Sequence, residues 1–92
     1  MGKEKVLLKS EEKMSKLEAA KLLRDIAEKI EKGKVTLRKG KDETVLDIPE
    51  RVEVEIKAEE EVGKRKIERK LEIEIEWKVG DHKGAGGQLV IK

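Results

Sequence analysis

The stretch "LEIEIEW", Leu71 to Trp77, alternates apolar and acidic residues and ends on the only aromatic residue of the chain. Alternation with a period of two is typical of a strand that buries one face and exposes the other. The odd-numbered positions, which end with Trp77, therefore form the apolar face. A tryptophan there could fill the core at the end of a sheet, anchor an interface or serve as a ligand platform. We expect the first role, with the interface anchor as the alternative.

The composition predicts one small and highly charged domain. The chain has 92 residues, of which 48% are charged and 36% hydrophobic, and its formal net charge is only +2. An electrostatic partner would therefore have to recognise a local patch. The chain has no cysteine, which excludes disulfide and thiol chemistry, and its Glu and Lys content resembles that of heat-adapted proteins. No apolar run has the length of a membrane span or a signal-peptide core, so we expect a cytoplasmic protein with no membrane partner.

A helix is predicted over residues 16–32. Ser15 and Glu18 have the spacing of a capping box, in which each side chain accepts a hydrogen bond from the other residue's backbone N–H. Gly33 can adopt the left-handed conformation that ends a helix. Apolar residues recur between them at helical spacing and form one stripe. That stripe comprises Ala19, Ala20, Leu23, Ile26, Ala27 and Ile30.

Five stretches of alternating residues predict strands. They are 5–10, 35–37, 46–48, 52–58 and 67–79. Numbered along the chain, strands two to five form an antiparallel meander, and strand one pairs with the overhanging end of strand five. The expected fold is α+β, one α-helix packed on a five-stranded antiparallel sheet, in the sequence β-α-β-β-β-β with strand order 2-3-4-5-1. The helix is expected to cover the face that carries Trp77. Residues 1–79 would form this single domain, and the glycine-rich residues 80–92 a flexible tail.

Pairing of opposite charges predicts the register of both hairpins. In the earlier hairpin a two-residue loop at 40–41 sets Lys39 opposite Asp42. In the last hairpin a two-residue loop at 62–63 sets Glu55 opposite Lys70, and the numbers of facing residues then sum to 125. In the alternative register, the numbers of facing residues sum to 127. That register would keep the apolar residues on one face but would set like charges opposite one another. We therefore expect the register that sums to 125.

The helical stretch "MSKLEAAKLLRDIAEKIEKGKV", the strand "VEVEI" and above all "LEIEIEW" together resemble the amphi-Trp domain. This is a small prokaryotic family named for an amphipathic strand that ends in tryptophan. The resemblance covers roughly Met14 to Trp77, and the tail after Lys78 lies beyond it. The family has no established activity, substrate, cofactor or catalytic residue. The resemblance therefore implies a compact domain and a structural role for Trp77, and it assigns no site.

We expect no catalytic site, no metal site and no cofactor. His82 is the only histidine, and with Asp81 it would supply only half of a metal site. The glutamates of the last strand stand on a wet face among lysines, with no apolar pocket that would raise a pKa. Ser15 is committed to the helix cap, and no base can be placed near Ser10. Enzymatic function is therefore not expected, and no small-molecule substrate is evident.

Two basic loops would meet at one end of the predicted sheet, beside the helix N-terminus, which attracts anions. The resulting candidate anion-binding patch comprises Lys39, Lys41, Lys64, Arg65 and Lys66. An ordinary solvated surface is the other interpretation of these residues. The sequence thus favours a non-enzymatic protein-interaction or self-association module. The alternative is a weak, non-sequence-specific binder of nucleic acid or another polyanion through the basic end.

Overall fold

The computed structural model describes residues 3–79 and divides the chain into two compact units, Met1–Glu50 and Arg51–Lys92. The elements are helix α1 (Lys16–Lys32) and strands β1 (Lys34–Lys39), β2 (Asp42–Asp47), β3 (Glu53–Val62) and β4 (Ile67–Glu76). Strand β1 pairs with β2 and strand β3 pairs with β4, both antiparallel, in two separate sheets. The predicted α+β class is confirmed. The predicted tail lies outside the described residues.

The predicted helix is confirmed, together with the signals that start and end it. The Glu18 backbone N–H donates to Ser15 Oγ, and the Ser15 backbone N–H donates to Glu18 Oε1, each at 3.0 Å. These two bonds satisfy N–H groups that a helix start leaves without partners. At the other end Gly33 has φ +92°, and its N–H donates to the Ile30 carbonyl oxygen at 2.9 Å. A side-chain capping box at the start and a left-handed glycine at the end therefore set the two ends of α1.

The core of the first unit lies between α1 and the β1–β2 hairpin. Val35 in β1 is 6% exposed and is the only buried hydrophobic residue among the described residues. It faces Leu46 across the hairpin, and Leu46 is half-buried. Helix α1 packs against β1, and its Ile26 and Ile30 are half-buried. The apolar stripe predicted for the helix thus includes residues that are withdrawn from water in this unit.

The strand predicted over residues 5–10 is wrong. Residues 3–15 contain no helix or strand, although side chains of the first hairpin bind their backbone. Thr44 Oγ1 donates to the Leu7 carbonyl oxygen at 3.5 Å, and Lys39 Nζ donates to the Lys9 carbonyl oxygen at 3.1 Å. The predicted alternation there involved only two apolar side chains, which is too little to specify a strand against such side-chain bonds. The strand order 2-3-4-5-1 is accordingly not supported.

The register predicted for the first hairpin is confirmed. Lys39 faces Asp42 and Arg38 faces Glu43, and an ion pair of 3.6 Å joins Arg38 to Glu43. The loop consists of Gly40 and one further residue, and Gly40 has φ +62°. A two-residue hairpin loop of type II′ requires glycine at this first central position. Turn chemistry and charge pairing therefore favour the same register.

The register predicted for the second hairpin is wrong. Facing residues sum to 129, so that Glu55 faces Glu74, and Val54 faces Ile75 instead of Leu71. A loop made of Val62 and Gly63 would place a β-branched residue where the favoured two-residue turns require positive φ. The observed ladder instead closes at Val62, and the Gly63 N–H donates to the Lys66 carbonyl oxygen at 2.8 Å across a four-residue loop.

The observed register brings apolar side chains opposite one another at the expense of charge pairing. Val54 faces Ile75, Ile56 faces Ile73, Ala58 faces Leu71 and Val62 faces Ile67. On the other face the same register sets glutamates opposite each other at three positions, Glu53 with Glu76, Glu55 with Glu74, and Glu61 with Glu68. Exposed like charges are screened by water, which limits their cost. Because β3 pairs with β4 as far as Glu76, part of the overhang that strand one was expected to occupy is already paired.

Candidate interaction surface on the second hairpin

One side of the β3–β4 hairpin, called the apolar face below, consists almost wholly of aliphatic side chains. It comprises Val54, Ile56, Ala58, Val62, Ile67, Leu71, Ile73 and Ile75. Most of these residues are exposed, including Ile56 at 67% and Leu71 at 68%. Single exposed apolar residues are ordinary on a protein surface, but a contiguous patch of them marks a binding surface. A two-stranded hairpin is also marginally stable in water without something to cover such a face.

The apolar face contains one charged pair, Glu60 opposite Arg69. Arg69 Nε donates to Glu60 Oε1 at 2.8 Å, and the side chains are 81% and 47% exposed respectively. Such charge-assisted hydrogen bonds are stronger than neutral ones. A shallow groove lies beside the pair, where Ala58 is the smallest side chain on the face. The apolar face therefore carries charged side chains at one defined position along the strands.

Sequence reasoning missed this pair because it set Glu60 opposite Arg65. The signal was nevertheless present in the residue numbers. The apolar residues are even-numbered in β3 and odd-numbered in β4, and Glu60 and Arg69 are the charged residues with that same parity. Since these two residues have opposite charges and lie on the same apolar face, they could have been paired with each other before the loop was chosen.

Trp77 follows β4 directly and continues the odd-numbered positions of the apolar face. Its side chain is half-buried, as are those of Ile75 and Val52. The next position of the observed register would set Val52 opposite Trp77. Trp77 thus continues the alternation of the apolar face one position beyond β4, with part of its surface still accessible.

The opposite face of the hairpin carries a network of four charged side chains. Lys57 Nζ lies 3.5 Å from Glu59 and 3.7 Å from Glu72, and Lys70 Nζ lies 3.2 Å from Glu72 and 3.5 Å from Glu59. The negative charge of Glu59, followed by that of Glu72, raises the pKa of Lys57. The hydrogen bond to Glu72 and the neighbouring carboxylates raise the pKa of Lys70. Both lysines therefore stay protonated, and each one forms ion pairs with Glu59 of β3 and Glu72 of β4.

The open end of this wet face is acidic. Repulsion from Glu55 across the ladder raises the pKa of Glu74, with smaller contributions from desolvation and from Glu76. Even so, no group of three or more His, Cys, Asp or Glu side chains within residues 3–79 is arranged to hold a metal ion. The acidic end is thus a consequence of the register, which favours the apolar pairs on the other side.

The predicted basic patch is divided between the two units. Lys39 ends β1 and Lys41 lies in the loop of the first hairpin, whereas Lys64, Arg65 and Lys66 lie in the loop of the second, and all are exposed. Lys66 Nζ forms an ion pair of 3.1 Å with Glu68. The five-stranded sheet that was expected to bring the two loops together is not supported. His82 and Asp81 lie outside the described residues.

Within residues 3–79, no helix is long and apolar enough to cross a membrane.

The helix, the two hairpins and the tryptophan after β4 define a small α+β domain built around amphipathic strands. A family model, the Amphi-Trp domain, matches residues 1–92, so the chain belongs to the Amphi-Trp domain family. The predicted resemblance is confirmed, and it extends further than the expected Met14 to Trp77, because the match includes the tail. Comparison with curated proteins and with solved structures gave no match. The family has no established function.

Proposed function

We propose that this chain is a non-enzymatic protein-interaction module that docks through the apolar face of the β3–β4 hairpin. The observation that carries the proposal is the exposure of that face. Its eight aliphatic side chains lie on one side of two paired strands, and Ile56, Leu71 and Ile73 are 67%, 68% and 48% exposed. The partner is a protein surface that is itself apolar and that supplies charges complementary to Glu60 and Arg69.

Burial of the apolar face would supply the free energy of docking. Fully burying one Val, Leu or Ile side chain is worth about 1.5–3 kcal/mol relative to leaving it exposed. Association costs about 4–15 kcal/mol of translational and rotational freedom, so several of these side chains must be covered together. Trp77, at the end of the face, is the residue type that most often anchors interfaces. The carboxylates of the opposite face lie among lysines and in contact with water, which favours a solvated surface over a catalytic site.

The test is whether the apolar face is accessible in the dilute protein. We expect a dye that fluoresces on apolar surfaces to bind the full-length chain, and iodide to quench Trp77. The double variant Ile56→Thr with Ile73→Thr should lose most of the dye binding, because threonine keeps the strand preference while removing apolar surface. Val45→Thr is the matched control, because Val45 is 49% exposed on β2. Absence of dye binding together with an unquenched Trp77 would contradict the proposal.

A second candidate function is weak binding of a polyanion by the loop of the second hairpin. The observation that favours it is three consecutive basic residues, Lys64 to Lys66, all exposed in that loop. We expect binding to heparin or DNA at low salt, with a log–log salt slope of about −0.9 per phosphate contacted on duplex DNA. Lys64→Glu with Arg65→Glu should abolish it and leave the ion pair of Lys66 with Glu68 intact. Binding that survives this reversal would contradict the second candidate.

A further inference from the structure

The proposed docking function leaves open which protein surface covers the apolar face, and the Glu60 and Arg69 pair restricts the choice. The hydrogen bond that Arg69 makes among the described residues uses Nε. A guanidinium has five N–H donors, so four remain to be satisfied when the face is covered. Covering a charged pair with a purely apolar surface carries a desolvation penalty without compensation. The partner surface must therefore bring a carboxylate to Arg69 and a donor to Glu60 at the same height along the strands.

We infer that this partner is a second copy of the chain, packed face to face through the apolar face and related by a twofold axis parallel to the strands. This inference rests on the proposed function. A rotation about such an axis sets β3 opposite the partner's β4 and keeps every residue at the same height. Glu60 then lies opposite the partner's Arg69, and Arg69 lies opposite the partner's Glu60. The face is thus complementary to itself in charge as well as in hydrophobicity.

A twofold axis between the two sheets could also run across the strands instead of along them. The Glu60 and Arg69 pair excludes this second arrangement. An axis across the strands reverses their direction. If it passes through the charged pair, Glu60 lies opposite the partner's Glu60. If it passes through the middle of the face, near Ala58, the charged pair lies against the aliphatic pair of Ile56 and Ile73. The first case opposes like charges and the second buries charges against isoleucines, and both are costly.

The size of the face predicts a weak dimer. Ten residues at about 3.3 Å per residue give a length of about 33 Å, and two strands about 4.8 Å apart give a width of about 10 Å. The flat area of the face is therefore about 330 Å² per copy, and the face contributes ten residues where each partner of a standard stable interface contributes roughly 20–30. We expect a transient dimer with a Kd in the micromolar range or above, in which the charged pair sets orientation.

Sedimentation equilibrium of the full chain from about 1 μM to about 1 mM, which spans that range of affinity, tests the inference. Glu60→Arg gives the face two positive charges, and Arg69→Glu gives it two negative charges. Each single variant should dimerise at least about tenfold more weakly than the wild type, because like charges then meet across the interface. An equimolar mixture of the two variants should recover a heterodimer, because every positive charge then lies opposite a negative one.

Two further variants separate an interface effect from a folding effect. The double variant Glu60→Arg with Arg69→Glu restores the pair within one chain and should dimerise like the wild type. Glu61→Arg changes the opposite face, where Glu61 faces Glu68, and should leave the dimer unchanged. Circular dichroism of each variant checks that the hairpin is retained. If a single variant unfolds, a mixture of the double variant with the wild type decides instead, because like charges would meet in a mixed dimer and each protein should therefore pair only with itself.

Three results would overturn the inference, and they differ in what they leave standing. A monomer at about 1 mM that still binds the apolar dye would exclude the second copy and leave the docking function in place. A monomer in which the dye does not bind and Trp77 is not quenched would overturn both, because another part of the chain would then cover the face. A dimer that is insensitive to the charge reversals would show that the copies meet elsewhere.

Discussion

The two hairpins of this protein are built from the same kind of alternating sequence and end in different environments. In the first hairpin Val35 is 6% exposed, and helix α1 packs against its strand. In the second, Leu71 has a comparable position on an apolar face and is 68% exposed. Alternation therefore specifies that a strand has an apolar face, and the difference lies in whether a neighbouring element covers it.

The two loops show a second difference, which concerns how register is chosen. Gly40 has positive φ at the position where a two-residue turn requires it, so the first hairpin closes tightly. Val62 occupies that position in the hypothetical tight loop of the second hairpin, and a β-branched residue is strained there. The second hairpin closes with four loop residues instead, between Val62 and Ile67. The backbone conformations that the turn residues can adopt thus limit the possible registers, and pairing of exposed charges acts only among the registers that remain.

Truncation of a covered and an uncovered side chain should give the largest difference between the hairpins. We expect Val35→Ala to lower the free energy of unfolding by about 2 kcal/mol, because buried methylene-sized groups are worth about 0.8 kcal/mol each and a cavity remains. Ile73→Ala should cost less than about 1 kcal/mol in dilute protein, because Ile73 is 48% exposed. Urea unfolding of both variants gives the comparison. Equal losses would show that the second hairpin is as well covered as the first.

The two loop glycines should respond differently to alanine. Gly40→Ala forces a side chain into positive φ and should cost about 1–2 kcal/mol, although a Cβ there meets nothing within 4 Å. Gly63 has no positive φ, and its added Cβ would lie 3.4 Å from the Lys66 carbonyl oxygen, close to an ordinary contact. Gly63→Ala should therefore be nearly neutral. A larger loss at Gly63 than at Gly40 would contradict the description of the loops.

Reversal of one glutamate should stabilise the second hairpin slightly. Glu74 faces Glu55 in the observed register, so Glu74→Lys replaces a repulsive pair with an attractive one and should raise the Tm. The predicted register that sums to 125 would set Glu74 opposite Arg51. There the same substitution would oppose two positive charges and lower the Tm. Thermal unfolding at low salt distinguishes the two outcomes by sign.

The smallest expected effect is the pH dependence that the same glutamate introduces. The pKa of Glu74 is raised above its ordinary value of 4.5, chiefly by Glu55, so the folded hairpin binds this proton more tightly than the unfolded chain does. The stability that this proton contributes is present at pH values below the ordinary pKa of Glu74. It is lost as the pH rises through the raised pKa of the folded state. The Glu74→Gln variant should thus exceed the wild type in Tm at pH 7, by a margin that shrinks towards pH 4. A constant margin would argue against repulsion from Glu55.

Local signals accounted for the parts of the fold that were predicted. The Ser15 and Glu18 capping box and the Gly33 stop act within a few residues, and α1 is confirmed at both ends. The first hairpin is equally local, because its turn and its charges agree. The strand over residues 5–10 failed because its alternation involved only Val6 and Leu8, which carried too little information. The register of the second hairpin failed because exposed charges were weighted above apolar cross-strand pairs.

The candidate surface was predicted in part. Parity alone placed Leu71, Ile73, Ile75 and Trp77 on one face, and the observed β4 confirms that alternation. The Glu60 and Arg69 pair was missed because the expected tight loop shifted every partner by four, although parity marked both residues as the charged members of the apolar face. What covers the face is a property of packing between elements, which the period of a strand does not encode.

The measurement that tests the central claim most directly is cysteine cross-linking of the second hairpin, since the chain has no cysteine of its own. In the observed register Ile56 faces Ile73, within the Cα separation of about 4.4–6.8 Å that a disulfide spans. Ile56→Cys with Ile73→Cys should form an intrachain disulfide in dilute protein under mild oxidation. Val54→Cys with Leu71→Cys, which face each other only in the register that sums to 125, should not. Cross-linking of the second pair and not of the first would contradict the observed register and, with it, the pairing of Glu60 with Arg69.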